Sequence, residues 1–82
     1  MRGTVTRVLI SKGYAFVRGD ADGLSRFAHV KDFLVPQAFE HLREGQQVRF
    51  TPVVDPKGRG NGLRAIEIDV DMPAESYWDR AR

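Results

Sequence analysis

The sequence predicts an all-β protein, a sheet of five short strands closed on itself, and three observations carry that prediction. Polar and apolar residues alternate in five short runs, Gly, Asp, Pro and Asn punctuate them, and 82 residues leave room for a single domain. Closure is expected because it removes the edges on which so basic and aromatic a sheet would aggregate. A domain this small buries only about 60% of its unfolded surface. Each of its aromatic residues, five Phe, two Tyr and one Trp, therefore needs a place in a small core or a use outside it.

The first strand is read over 2–10 (RGTVTRVLI) and the second over 14–19 (YAFVRG), with SKG supplying the tight turn between them. DADG then turns the chain into a third strand over 24–30 (LSRFAHV), its Asp and Gly tolerating the positive φ such turns need. These three form a meander. In KDFLVPQAFEHLREGQ, Pro36 can open a short helical turn and Gly45 can end it. The fourth strand covers 47–55 (QVRFTPVVD), the polar loop DPKGRGNG projects with Lys57 and Arg59, and the fifth strand covers 63–70 (LRAIEIDV). Five strands with an irregular connection after the third predict a five-stranded antiparallel OB-fold barrel with a short helical turn between strands 3 and 4. An open sheet packed on one helix is the alternative. The domain is placed at 1–70, followed by an acidic, aromatic tail at 71–82 (DMPAESYWDRAR), where Pro73 permits at most a short helix.

Composition narrows the function. The absence of cysteine excludes a disulfide framework and any thiolate metal site. No apolar run approaches the roughly 20 residues needed to span a bilayer, and Met1 leads straight into patterned sequence. A soluble, cytoplasmic protein with no membrane partner is expected. Residues 1–64 carry eleven Lys or Arg against six Asp or Glu, whereas 65–82 carry two against five. The basic body suits a polyanion and the acidic tail does not.

Within KGYAFVR at 12–18, Tyr14, Phe16 and Arg18 share one face of a strand, and Ala15 and Val17 share the other. The small residues suit a crowded interior, so the rings face out. Phe27 and His29 repeat the spacing in the next strand, and a meander sets them beside the first pair as one patch of four rings. Such a contiguous exposed patch marks an interaction site. Lys12 and Arg18 at its ends, with Lys31, His41 and Lys57 toward the rim, add positive charge. Bases stack on rings and phosphates pair with cations, each stacked base contributing about 1–3 kcal/mol. A register slipped by one residue would bury Tyr14, Phe16 and Phe27 instead, but it would bury Arg18 and His29 with them, and desolvating both is costly.

KGYAFV resembles the first ribonucleoprotein motif of the cold-shock domain, and RFAHV resembles its second, in the same order and at a similar distance. GTV at 3–5 resembles that family's opening strand, and FEHLREGQQVRF at 39–50 the stretch leading into its fourth strand, so the resemblance spans 1–70. The RNA-recognition motif of the ferredoxin-like fold has a similar Lys-Gly-aromatic string, but on its third strand, after a helix, with the partner motif upstream. Here the string begins at residue 12 and its partner follows. The resemblance implies an OB barrel that binds single-stranded RNA or DNA with little sequence preference, as an RNA chaperone or in gene regulation such as transcription antitermination. Position by position it implies that Lys12, Tyr14, Phe16, Phe27 and His29 lie on the binding surface, with Phe39 from the loop before EHLREG and Arg59 from KGRGNG. Arg7 stands where the family usually carries a stacking Trp, and Val30 where an aromatic often follows the histidine. A guanidinium can stack but offers less ring area, so weaker binding is implied. Arg26 occupies a position that is usually apolar and inward, and it either snorkels out at the barrel end or marks a local register shift.

Other readings of single residues stand beside these. His29 and His41, with no cysteine, make no ligand set of recognisable spacing, so no metal is expected. Phe39 fits the mouth of a small barrel as well as it fits a ligand. GRGNG lacks the Lys-Ser/Thr ending of a P-loop and reads as a hairpin turn. Tyr77 and Trp78 either fold back on the barrel or contact a protein partner, and the acidic tail around them could compete for the basic face. No nucleophile, base and orienting group can be picked out together, so neither an enzyme nor a cofactor is expected. The rival to a strand-binding domain is an OB-fold module that docks on a transcription or translation partner.

Overall fold

The computed structural model describes residues 1–55, 57 and 61–70 of the chain. Five strands, β1 (Arg2–Leu9), β2 (Tyr14–Gly19), β3 (Ser25–His29), β4 (Gln47–Val54) and β5 (Leu63–Val70), close into a barrel in the order β1-β2-β3-β5-β4. Short 3-10 turns follow β1 (Ile10–Lys12) and β3 (Val30–Asp32), and one helical turn, α1 (Pro36–Phe39), precedes β4. Pro36 opens α1, where its missing N–H leaves nothing unsatisfied. The OB-type barrel is the expected architecture. One part of the expectation is corrected: β3 and β5 run parallel, while the other four neighbouring pairs are antiparallel. The reason is topological. Strands that alternate in direction around a ring close only in even number, so a closed ring of five contains at least one parallel pair, here β3–β5.

The core follows from alternation. Ala15 and Val17 of β2, Ala28 of β3, Val48 and Phe50 of β4 and Ala65 and Ile68 of β5 point inward and are buried. Two irregularities adjust the pattern. The β1–β2 register shifts between Val5 and Arg7, so Thr6 is an extra residue that lets Val5 and Val8 both turn inward. A second shift on β4–β5 falls where Glu67 takes a left-handed φ of 49°, and it lets Ala65 and Ile68, three apart, share the interior. Phe33, Phe39 and Leu42, from the connection between β3 and β4, are buried in the same core.

Gly3 is required by close approach. A Cβ there would lie 2.7 Å from the Arg18 carbonyl oxygen, from Phe50 Cε1 and from Val17 Cγ1. The carbonyl belongs to the paired strand and cannot retreat without breaking the sheet. Gly3→Ala is expected to destabilise the barrel by about 1–3 kcal/mol through overpacking, read as a lowered urea midpoint.

Arg26 resolves an ambiguity of the sequence. It pairs with Val17, keeps the β2–β3 register unbroken and is buried at 5% exposure, so neither a register shift nor an outward side chain describes it. Its charge is met locally. Nη2 donates to Asp22 Oδ2 at 2.6 Å, Nη1 donates to Asp22 Oδ1 at 3.2 Å, and the guanidinium lies 5.4 Å from the centre of the Phe50 ring. The Arg26 hydrogen bond, helped by the Leu24 N–H, lowers the Asp22 carboxyl from its ordinary 3.8 to about 2. A folded pKa below the unfolded one means that Asp22 stabilises the barrel fully above about pH 4 and that this stability is lost as pH falls through about 2. Asp22→Asn is expected to melt lower than the parent at neutral pH, and to lose less between pH 4 and pH 2, in thermal melts across that range.

Candidate nucleic-acid interface

The outward residues of β2 and β3 meet in register. Tyr14 pairs with His29 and Phe16 with Phe27, while Ala15 and Ala28 oppose each other inside. A slip is thereby excluded. Tyr14 lies 5.8 Å from Phe16 and 5.1 Å from Phe27, centre to centre, Phe16 lies 6.1 Å from Phe27, and Phe27 lies 6.2 Å from His29. Spacings in this range are those of mutually supporting rings. All four residues are half-buried, packed along their edges yet reachable from outside.

Local backbone fixes the two ends of the patch. Gly13 closes the turn after β1 with a φ of 77°, a conformation open to glycine, and its carbonyl accepts the Val30 N–H at 2.9 Å. The start of β2 is thus tied to the end of β3. His29 Nδ1 accepts the Lys31 backbone N–H at 3.2 Å. That bond places the proton of the neutral ring on Nε2 and holds the imidazole in place.

The cations take different positions. Arg7 is exposed and pairs with Phe16 across β1–β2, so the bulge at Thr6 sets it beside the rings. Lys12 is exposed in the 3-10 turn before Gly13. Arg18 is exposed opposite Ser25, at the far end of β2. Lys31, His41 and Lys57 are exposed as well, and the Lys57 backbone N–H donates to Asp55 Oδ1 at 3.1 Å. Arg59, Tyr77 and Trp78 lie outside the described residues.

Phe39 is a correction. It is 3% exposed and packs edge-on against Phe33 with ring centres 5.4 Å apart, so it presents no ring face to a ligand. The cause is α1, which folds the loop over the barrel end and turns Phe39 into the space beneath. Of its two readings, the one that fills the barrel mouth holds.

Sequence reasoning passed over Arg64. Its Cα pairs with that of Phe27 across the parallel β3–β5 contact, and since Ala28 and Ala65 are both fully buried, Arg64 and Phe27 share the outer face. Nε and Nη2 both donate to Asp32 Oδ2, at 3.0 and 2.5 Å, and Nη1 stands 3.6 Å from Asp55 Oδ2. The Asp32 hydrogen bond, with the charges of both carboxylates, raises the Arg64 pKa above its already high ordinary value. No pattern in the sequence could have revealed the neighbour, because pairing between parallel strands leaves no local signature.

Fold and face together define an OB-fold protein with a basic, aromatic sheet surface. No protein-family model matches the chain. Over 47 residues, 57% of this chain and 69% of each relative, it is 38% identical to the cold shock-like protein CspA of Bordetella pertussis, Bordetella bronchiseptica and Bordetella parapertussis. The chain belongs to the cold-shock protein family.

The burial of Phe39 generates a test. Phe39→Ala is expected to destabilise the fold by about 3–5 kcal/mol, measured by urea unfolding.

Proposed function

We propose that this protein binds single-stranded RNA or DNA without catalysis. Bases stack on Tyr14, Phe16, Phe27 and His29, and backbone phosphates pair with Arg7, Lys12 and Arg59. The observation that supports this most directly is the assembly of four rings on one outward face, with centres 5.1 to 6.2 Å apart. Stacking platforms bordered by cations serve single strands, since every base has a π face and every nucleotide a phosphate. Membership of the cold-shock family points the same way. An RNA-chaperone or gene-regulatory role in the cytoplasm is the corresponding occupation, carried by the domain at 1–70, which the acidic, aromatic sequence at 71–82 follows. Among the described residues no helix is long and apolar enough to cross a membrane, and no three His, Asp or Glu gather as a metal-holding group.

Two terms separate experimentally. In titrations of a fluorescent mixed-sequence strand, as DNA and as RNA, Phe16→Ala is expected to weaken binding at every salt concentration by about 1–3 kcal/mol. Lys12→Ala is expected to lower the slope of log affinity against log salt by about one. If the parent binds neither strand, or binds without regard to salt, the reading falls and the aromatic face belongs to a protein partner.

A further inference from the structure

The cluster of Arg64, Asp32 and Asp55 is not needed to hold phosphates and is poorly suited to do so. Two carboxylates against one guanidinium leave it net negative, whereas Arg7 and Lys12 already border the rings on the opposite side. Yet Arg64 is held firmly. Asp32 fixes one edge of its fork, and the β4–β5 hairpin that carries Arg64 is docked to β3, where Asn61 Nδ2 donates to the Ser25 carbonyl at 3.1 Å, and is closed on itself, where the Asp55 N–H donates to the Gly62 carbonyl at 2.7 Å. Its side chain keeps 28% of its surface exposed, and Nη1, 3.6 Å from Asp55, lies beyond hydrogen-bond length. A prepositioned planar fork with donors to spare therefore stands beside Phe27 on the face where a base is to stack.

Resting on the strand-binding reading above, we propose that Arg64 reads the base stacked on Phe27 and that the preferred base there is guanine. An arginine fork donating two parallel N–H groups matches the O6 and N7 acceptors of guanine, the commonest base-specific contact arginine makes. Adenine sets an amino group beside N7 and breaks the match. Thymine and uracil separate their two acceptors by an N–H, and cytosine places O2 against the sugar, where the fork is crowded. Asp32 and Asp55 sharpen the choice. Their negative charge repels a phosphate that would otherwise occupy the fork, so the donors are kept for a neutral base edge.

The test uses the full chain and fluorescent strands of about seven thymidines, compared with strands in which one central thymidine is replaced by guanine, adenine or cytosine. The guanine strand is expected to bind about fivefold to tenfold more tightly than the all-thymidine strand. Arg64→Lys keeps the charge but removes the planar fork, and it is expected to equalise the strands while leaving thymidine affinity near that of the parent. Equal affinities in the parent, a preference for another base, or a guanine preference that survives in Arg64→Lys would each overturn the proposal and leave strand binding intact. Uniform loss across all strands in Arg64→Lys would make Arg64 a structural brace and overturn it too. A parent that binds no strand at all removes the strand-binding reading and this one together.

Discussion

The face of this protein depends on how little room its barrel has inside. Ala15 and Ala28 stand opposite each other on β2 and β3, both fully buried, and Ala65 of β5 is equally buried. Three methyl groups fill what room there is beneath these strands, and Gly3 on β1 leaves no space for even a Cβ. Rings have no room beside these alanines, whereas Phe50, a ring that does lie inside, comes from β4. The alternation of the strand then obliges the residues between the alanines, Tyr14, Phe16, Phe27 and His29, to stand on the outside, where they pack against one another.

Large side chains enter the barrel from β4 and β5, as Phe50 and Ile68 do, and from beyond the strands. Phe33, Phe39 and Leu42 come from the connection between β3 and β4 and add bulk to what the strands supply. At another position the inward site is taken by Arg26, whose guanidinium lies over Phe50 and against Asp22. A buried charge is tolerable only where it is paired. Here the partner lies four residues away in the turn that leads into β3, so the turn serves as a counterion as well as a link.

Charge is thereby divided among different tasks. A net charge of +2 over the chain suggests a weakly basic protein, yet Arg26 and Arg64 are neutralised locally by aspartates. The cations left in the open include Arg7, Lys12 and Arg18, near or along the aromatic strand. Positive potential is concentrated beside the rings, while β5 brings a neutralised, prepositioned arginine to their other side.

Alternation with period two, together with Gly and Asp at the turns, was enough to place all five strands, the inward Ala15 and Val17 and the four outward rings, because each depends only on a residue and its near neighbours. Charge assignment in KGYAFVR was legible for the same reason: Arg18 could not be buried without a partner. The tertiary structure decided what depends on contacts between distant segments. It set β3 beside β5 in parallel, since an odd ring cannot alternate throughout. It turned Phe39 inward, since only packing distinguishes a loop aromatic that fills a barrel mouth from one that meets a ligand. It gave Arg26 a carboxylate and set Arg64 next to Phe27, 37 positions along the chain from it. Local periodicity determines which way a side chain points; closure of the barrel determines what it meets there.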